Sequence, residues 1–195
     1  MSQSWGRSPN KSIIKFLLWL ITNVALIERG LSQAQSPPSK PQIPTELQRL
    51  EYFEGTWSCQ QPANSTKPSG GFSWTVKQDL NQFWYLGNAQ QIQPPSEGLP
   101  INSREFMGYD PASKKLIRSV VVGNGNSYNL VAEDWEENKL IWSGIIVRKE
   151  QASPLRQEII KNSSNNFTAI YFFPNKDEEW IPVVDESCTR FDPTK

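Results

Sequence analysis

Hydrophobic and polar positions alternate one by one over much of this chain. Phe72, Trp74 and Val76 are interleaved with Ser73, Thr75 and Lys77. Successive side chains of an extended strand point to opposite faces, so this pattern predicts a strand with one buried face. The same period returns over 83–92, 103–109, 115–122, 128–135, 139–148, 155–161, 167–173 and 183–191. The breaks between these runs hold turn formers. Asp110-Pro111-Ala112-Ser113 has Asp first and Pro second, as a type I turn requires, and Gly123-Asn124-Gly125-Asn126 turns again. Glu136-Glu137-Asn138 and an Asn/Ser stretch after Lys161 end two more hairpins, and Pro94-Pro95-Ser96-Glu97-Gly98 is a loop. Such short connections permit only antiparallel pairing between neighbours. The pattern predicts an all-β, up-and-down antiparallel barrel of about 8–10 strands.

One stretch departs from the period of two. Leu47, Leu50 and Phe53 form a narrow apolar stripe at helical spacing, with Thr45 as N-cap, Gln48 placed to complete a capping box, and Gly55 to end the turn. So short a helix is unstable alone, and its stripe is expected to lie on an open barrel end.

The two ends of the series read as partners. If the strand containing Gly55-Thr56-Trp57-Ser58-Cys59 pairs antiparallel with Ser187-Cys188-Thr189-Arg190, the register that sets Cys59 opposite Cys188 also sets Trp57 opposite Arg190. All four side chains then share one face. A sheet whose first strand pairs with its last is closed.

Composition removes several chemistries. The chain of 195 residues has 20 basic and 20 acidic residues, so no net field draws it to nucleic acid or to an anionic membrane. It has no histidine. The usual zinc and non-haem iron ligands, the commonest haem ligand and every Ser-His or Cys-His pair are thereby absent. Eight tryptophans supply bulk for a barrel interior.

The first 34 residues read as a signal peptide. Arg7, Lys11 and Lys15 form a basic leader, 16–27 an apolar core, and Ser32-Gln33-Ala34 the small residues before a cut at Gln35. The apolar core is shorter than the ~20 residues a spanning helix needs. Glu28 and Arg29 beside the cut keep an uncleaved anchor as the competing reading. No cysteine follows the core, so a lipoprotein anchor is excluded. Residues 35–44, rich in Pro and Ser, form a tether, and 45–195 the barrel domain. The mature chain is weakly acidic, has no membrane span and is expected in a periplasm, a lumen or the medium. In that oxidising setting Cys59 and Cys188 are expected to form a disulfide.

With Gly55-x-Trp57 on the first strand after a short helical turn, the chain resembles the calycins, the lipocalins and fatty-acid-binding proteins. In lipocalins an Arg near the last strand packs over that Trp, which implies the same for Arg190 and Trp57. Phe106-Met107-Gly108-Tyr109-Asp110-Pro111, followed by a basic turn and a Val-rich strand, resembles a family of secreted lipocalin-like domains of unknown function. The likeness spans most of 50–191. Haem-binding nitrobindins share the ten-strand barrel but hold iron through a histidine, so no cofactor carries over to this chain.

Candidate chemistry is sparse. Arg118 alternates with Leu116, Val120 and Val122. Facing inward it would anchor a ligand carboxylate, as internal arginines do in fatty-acid-binding proteins. The opposite face, Ile117 and Val121, is apolar enough to be the inside instead. Trp74, Trp84, Tyr85, Tyr128, Trp142 and Tyr171 would line a pocket or fill a core. From these, Arg118, Trp84, Tyr128, Trp142 and Tyr171 are the candidate ligand contacts. Of the carboxylates Glu105, Asp110, Glu133 and Asp134, Asp110 is occupied by its turn. Neighbouring Glu133 and Asp134 point to opposite faces. No catalytic or metal-ligand motif is present. Asn64, Asn162 and Asn166 match glycosylation acceptors, which chance explains in a chain so rich in Asn and Ser. The expected role is binding of a small hydrophobic or amphipathic ligand. An isomerase- or lyase-type enzyme, and a filled barrel acting as an envelope interaction module, are the alternatives.

Overall fold

A computed structural model describes residues 41–61, 70–92 and 100–191. The expected signal peptide, most of the expected tether, the 94–98 segment and the Asn64 acceptor motif lie outside the described residues. Ten strands follow in order: β1 (Gly55–Gln61), β2 (Gly70–Asp79), β3 (Trp84–Gln91), β4 (Asn102–Asp110) and β5 (Lys115–Val122). The second half is β6 (Ser127–Ala132), β7 (Lys139–Arg148), β8 (Gln151–Ser163), β9 (Asn166–Pro174) and β10 (Trp180–Phe191). Each pairs antiparallel with its neighbours in sequence, and β1 pairs with β10, closing the barrel.

The closing register is the expected one: Trp57 lies opposite Arg190 and Cys59 opposite Cys188. The two sulfur atoms are 2.04 Å apart, at disulfide distance. The Arg190 guanidinium stands 4.2 Å from the centroid of the buried Trp57 ring. It also donates to the carbonyls of Tyr52 (2.9 Å) and Glu54. A guanidinium over an indole contributes roughly 0.5–2 kcal/mol. Gly55 is required at this corner. Its φ is +120°, and a Cβ there would meet Arg190 Nη1 at 2.5 Å.

Thr45–Phe53 forms a 3-10 helix that caps this end of the barrel. The expected capping box is not made. The helix starts one residue earlier than the box requires: Pro44 occupies the N-cap, and its carbonyl accepts from the Leu47 amide in a three-residue turn. Tertiary packing holds the segment instead. Leu47, Leu50 and Phe53 are buried, each worth about 1.5–3 kcal/mol. Trp57 Nε1 donates to the Phe53 carbonyl at 2.8 Å, and Trp135 Nε1 to the Arg49 carbonyl at 2.8 Å.

Two strands run longer than the pattern implies, because each continues through a proline that would ordinarily mark its boundary. Pro154 sits within β8, opposite Ile145 of β7. On its other side β8 meets β9 only from Arg156 onward, so the missing N–H breaks no ladder there. Pro182 likewise lies in the part of β10 that pairs with β9 alone, next to a register shift before Val184.

Candidate functional site

The barrel is hollow. Its interior encloses a cavity of about 320 Å³, at the small end of the range for ligand pockets. Phe53, Phe167, Trp74 and the two cysteines form its floor, while Gln61, Gln91, Ile101 and Val122 lie toward the opposite rim. Interior positions follow the period of two on every strand, so the cavity's polar groups are those few that fall on the inward face.

Two polar clusters result. The first is centred on Arg118 of β5. Its Nε donates to Glu105 Oε2 at 2.7 Å, Nη2 forms an ion pair with the same oxygen at 2.7 Å, and Nη1 donates to Gln157 Oε1 at 2.6 Å. Glu105 Oε1 accepts from Trp74 Nε1. The pair is well shielded, with side-chain exposures of 14% for Arg118 and 4% for Glu105. Burial is the largest single influence and works against the charged guanidinium, but Glu105, Tyr171 and Glu186 together outweigh it and hold the Arg118 pKa above its usual value. Gly87 of β3 makes room for the carboxylate, since a Cβ there would overlap Glu105.

The second cluster is centred on Glu186 of β10, which is 5% exposed. Its Oε1 accepts from Gln61 Nε2 at 2.7 Å and its Oε2 from the Tyr171 hydroxyl at 3.2 Å. Burial pushes the Glu186 carboxyl above the ordinary carboxylate range, and these two hydrogen bonds with the Arg118 charge offset it only in part. Burial and the Glu186 charge together raise the Tyr171 hydroxyl well above its usual value.

A pH dependence of stability follows. A carboxyl whose folded pKa is raised favours the fold most below its unfolded value, near 4.5. That contribution is lost as pH rises through the folded value. The expected result is that Glu186→Gln, which stays neutral, gains stability over the parent chain as pH rises from 4.5 toward 8. Urea unfolding at both ends of that window checks this, and a difference independent of pH would contradict it.

Of the residues singled out in the sequence, Arg118, Tyr128, Trp142 and Tyr171 line the cavity together. Trp84 does not. Strand β3 sends Tyr85, Gly87, Ala89 and Gln91 inward, which leaves Trp84 on the outer face against Gly108. Arg118 faces inward as one of the two readings has it, but it meets a protein carboxylate there, Glu105. Asp110 holds its turn by accepting from Ser113 Oγ at 2.6 Å, and Glu133 is exposed. Glu186, Gln61 and Gln157 join the site without having stood out in the sequence. Cys188 carries the missing signal: two residues before an inward cysteine, Glu186 must share its face.

Among the described residues, no three His, Cys, Asp or Glu side chains are placed to hold a metal ion. No helix among them is long and apolar enough to cross a membrane. No family model and no curated protein matches the sequence. Among solved structures, the chain is similar to the crystal structure of Rv2717c from M. tuberculosis, with a TM-score of 0.55 and 9% identity. The match covers 77% of this chain and all of that one. At that identity it carries the barrel fold alone.

Proposed function

We propose that this is an exported, calycin-like barrel that binds a small, partly apolar molecule in its interior. The observation that carries this is the cavity itself: about 320 Å³, walled by aromatic and aliphatic side chains, with polar groups gathered at two points. A barrel acting through its surface alone has no need of that hollow. The calycin assignment is supported by the Gly55-x-Trp57 corner and the Arg190 stack, and export by the cysteine pair.

The neutral dye N-phenyl-1-naphthylamine tests the reading. Its fluorescence should rise and saturate with the parent protein. Ala89 borders the cavity, so Ala89→Trp should weaken binding tenfold or more by filling the space. Equal dye binding by both proteins would refute an internal site for it.

A second reading draws on Glu186. A buried carboxyl with a raised pKa at a cavity wall, hydrogen-bonded to Tyr171, has the properties of a general acid–base for an isomerase or lyase. Turnover of a bound apolar substrate that Glu186→Gln abolishes while binding persists would favour it over binding alone.

A further inference from the structure

The two interior clusters differ in what they leave available, and that difference selects a ligand charge. Arg118 is committed, giving one hydrogen bond each to Glu105 and Gln157, and its charge is balanced by Glu105 at 2.7 Å. A ligand carboxylate brought there would meet a second anion beside the guanidinium. Glu186 is different. Gln61 and Tyr171 give its oxygens one hydrogen bond each, which leaves acceptor capacity on both. No ion pair among the described residues involves it. Of the groups lining the cavity, Glu105 and Arg118 cancel, and Glu186 adds one unbalanced negative charge on ionising. The remaining walls include the side chains of Phe72, Trp74, Tyr128, Trp142 and Tyr171, and aromatic rings attract cations to their faces.

Resting on the reading of the barrel as a binding protein, we infer that its ligand is a small organic amine. The ammonium group sits at Glu186 and its apolar or aromatic body lies against the tryptophan and tyrosine walls. The cation supplies the charge partner that no side chain among the described residues gives the carboxylate, so the amine holds Glu186 ionised. Around Glu186 stand Gln61 of β1, Arg118 of β5, Tyr171 of β9 and Asp185 beside it on β10; of these only Arg118 is cationic, and Glu105 holds it. Wherever Glu186 is protonated before binding, an incoming ammonium therefore displaces its proton.

Calorimetric titration with phenethylamine, 2-phenylethanol and 3-phenylpropanoate separates the outcomes, because the three share a body and differ in charge. At pH 8 the amine should bind at least tenfold more tightly than the other two. Glu186→Gln should remove that preference and leave the alcohol unchanged. As pH is lowered from 8, titrations in buffers of different ionisation enthalpy should report a growing release of protons with the amine. If the alcohol or the carboxylate binds as well as the amine, or the preference survives Glu186→Gln, the inference falls and the cavity reading stands. It falls in the same way if only N-phenyl-1-naphthylamine binds. If none of the four compounds binds the parent protein, both fall.

Discussion

Replacing Cys59 and Cys188 together with alanine is expected to cost about 5 kcal/mol of unfolding free energy. The two residues are 129 apart in sequence, so the bond closes a loop spanning nearly the whole barrel. Closing so long a loop removes much of the entropy of the unfolded chain, and the stabilisation grows with the logarithm of loop length. The bond also sits where closure is decided, in the pairing of β1 with β10. A loss of this size is a third or more of the stability of a typical domain, about 5–15 kcal/mol. In urea the midpoint should fall by about 2.5 M, given a slope near 2 kcal/mol per molar. A fall below about 0.5 M would mean that the sheet closes with little help from the covalent link.

The second large effect is expected at Arg118. Removing its charge as Arg118→Met leaves Glu105 buried with one remaining donor, Trp74 Nε1, and leaves Gln157 Oε1 without its partner. Breaking one side of a buried ion pair costs about 3–5 kcal/mol, because the surviving charge is uncompensated. The diagnostic is the second substitution. Glu105→Gln in the Arg118→Met background removes the stranded charge and keeps an acceptor for Trp74, so it should restore about 2 kcal/mol. Additive losses in the double variant would show that the two groups do not act as a pair.

Much of the architecture is legible in the sequence because it depends on spacing. Strand positions follow from a period of two, and the shared register of Trp57 with Arg190 and Cys59 with Cys188 needs only two short segments at opposite ends. The face of each strand is harder. Along β5 both faces are apolar, so alternation shows that Arg118 shares a side with Leu116 and Val120 but not which side is inside. The Asp110 turn holds the answer. It pairs Met107 with Arg118 and Glu105 with Val120, which puts Glu105 diagonally beside Arg118 on one face. Once that carboxylate is placed, the interior is fixed, and Arg118 changes from a free anchor to a satisfied one. Trp84 misleads for the complementary reason. Trp84 and Tyr85 are adjacent aromatics at the start of β3, and only the pairing of Tyr85 with Met107 decides which turns inward. The 3-10 cap carries no side-chain signal at its N-terminus, so Thr45 attracts the assignment that Pro44 fills.

The most direct test of the hollow, ligand-accepting barrel is fluorine NMR of protein labelled with 5-fluorotryptophan, titrated with N-phenyl-1-naphthylamine. Trp74 and Trp142 line the cavity, Trp84 faces outward and Trp180 is exposed on β10. Each resonance is assigned by a single Trp→Phe replacement. An internal binding site predicts that the Trp74 and Trp142 resonances shift and saturate together while those of Trp84 and Trp180 stay in place. Shifts confined to Trp84 or Trp180, with the interior pair unmoved, would contradict it.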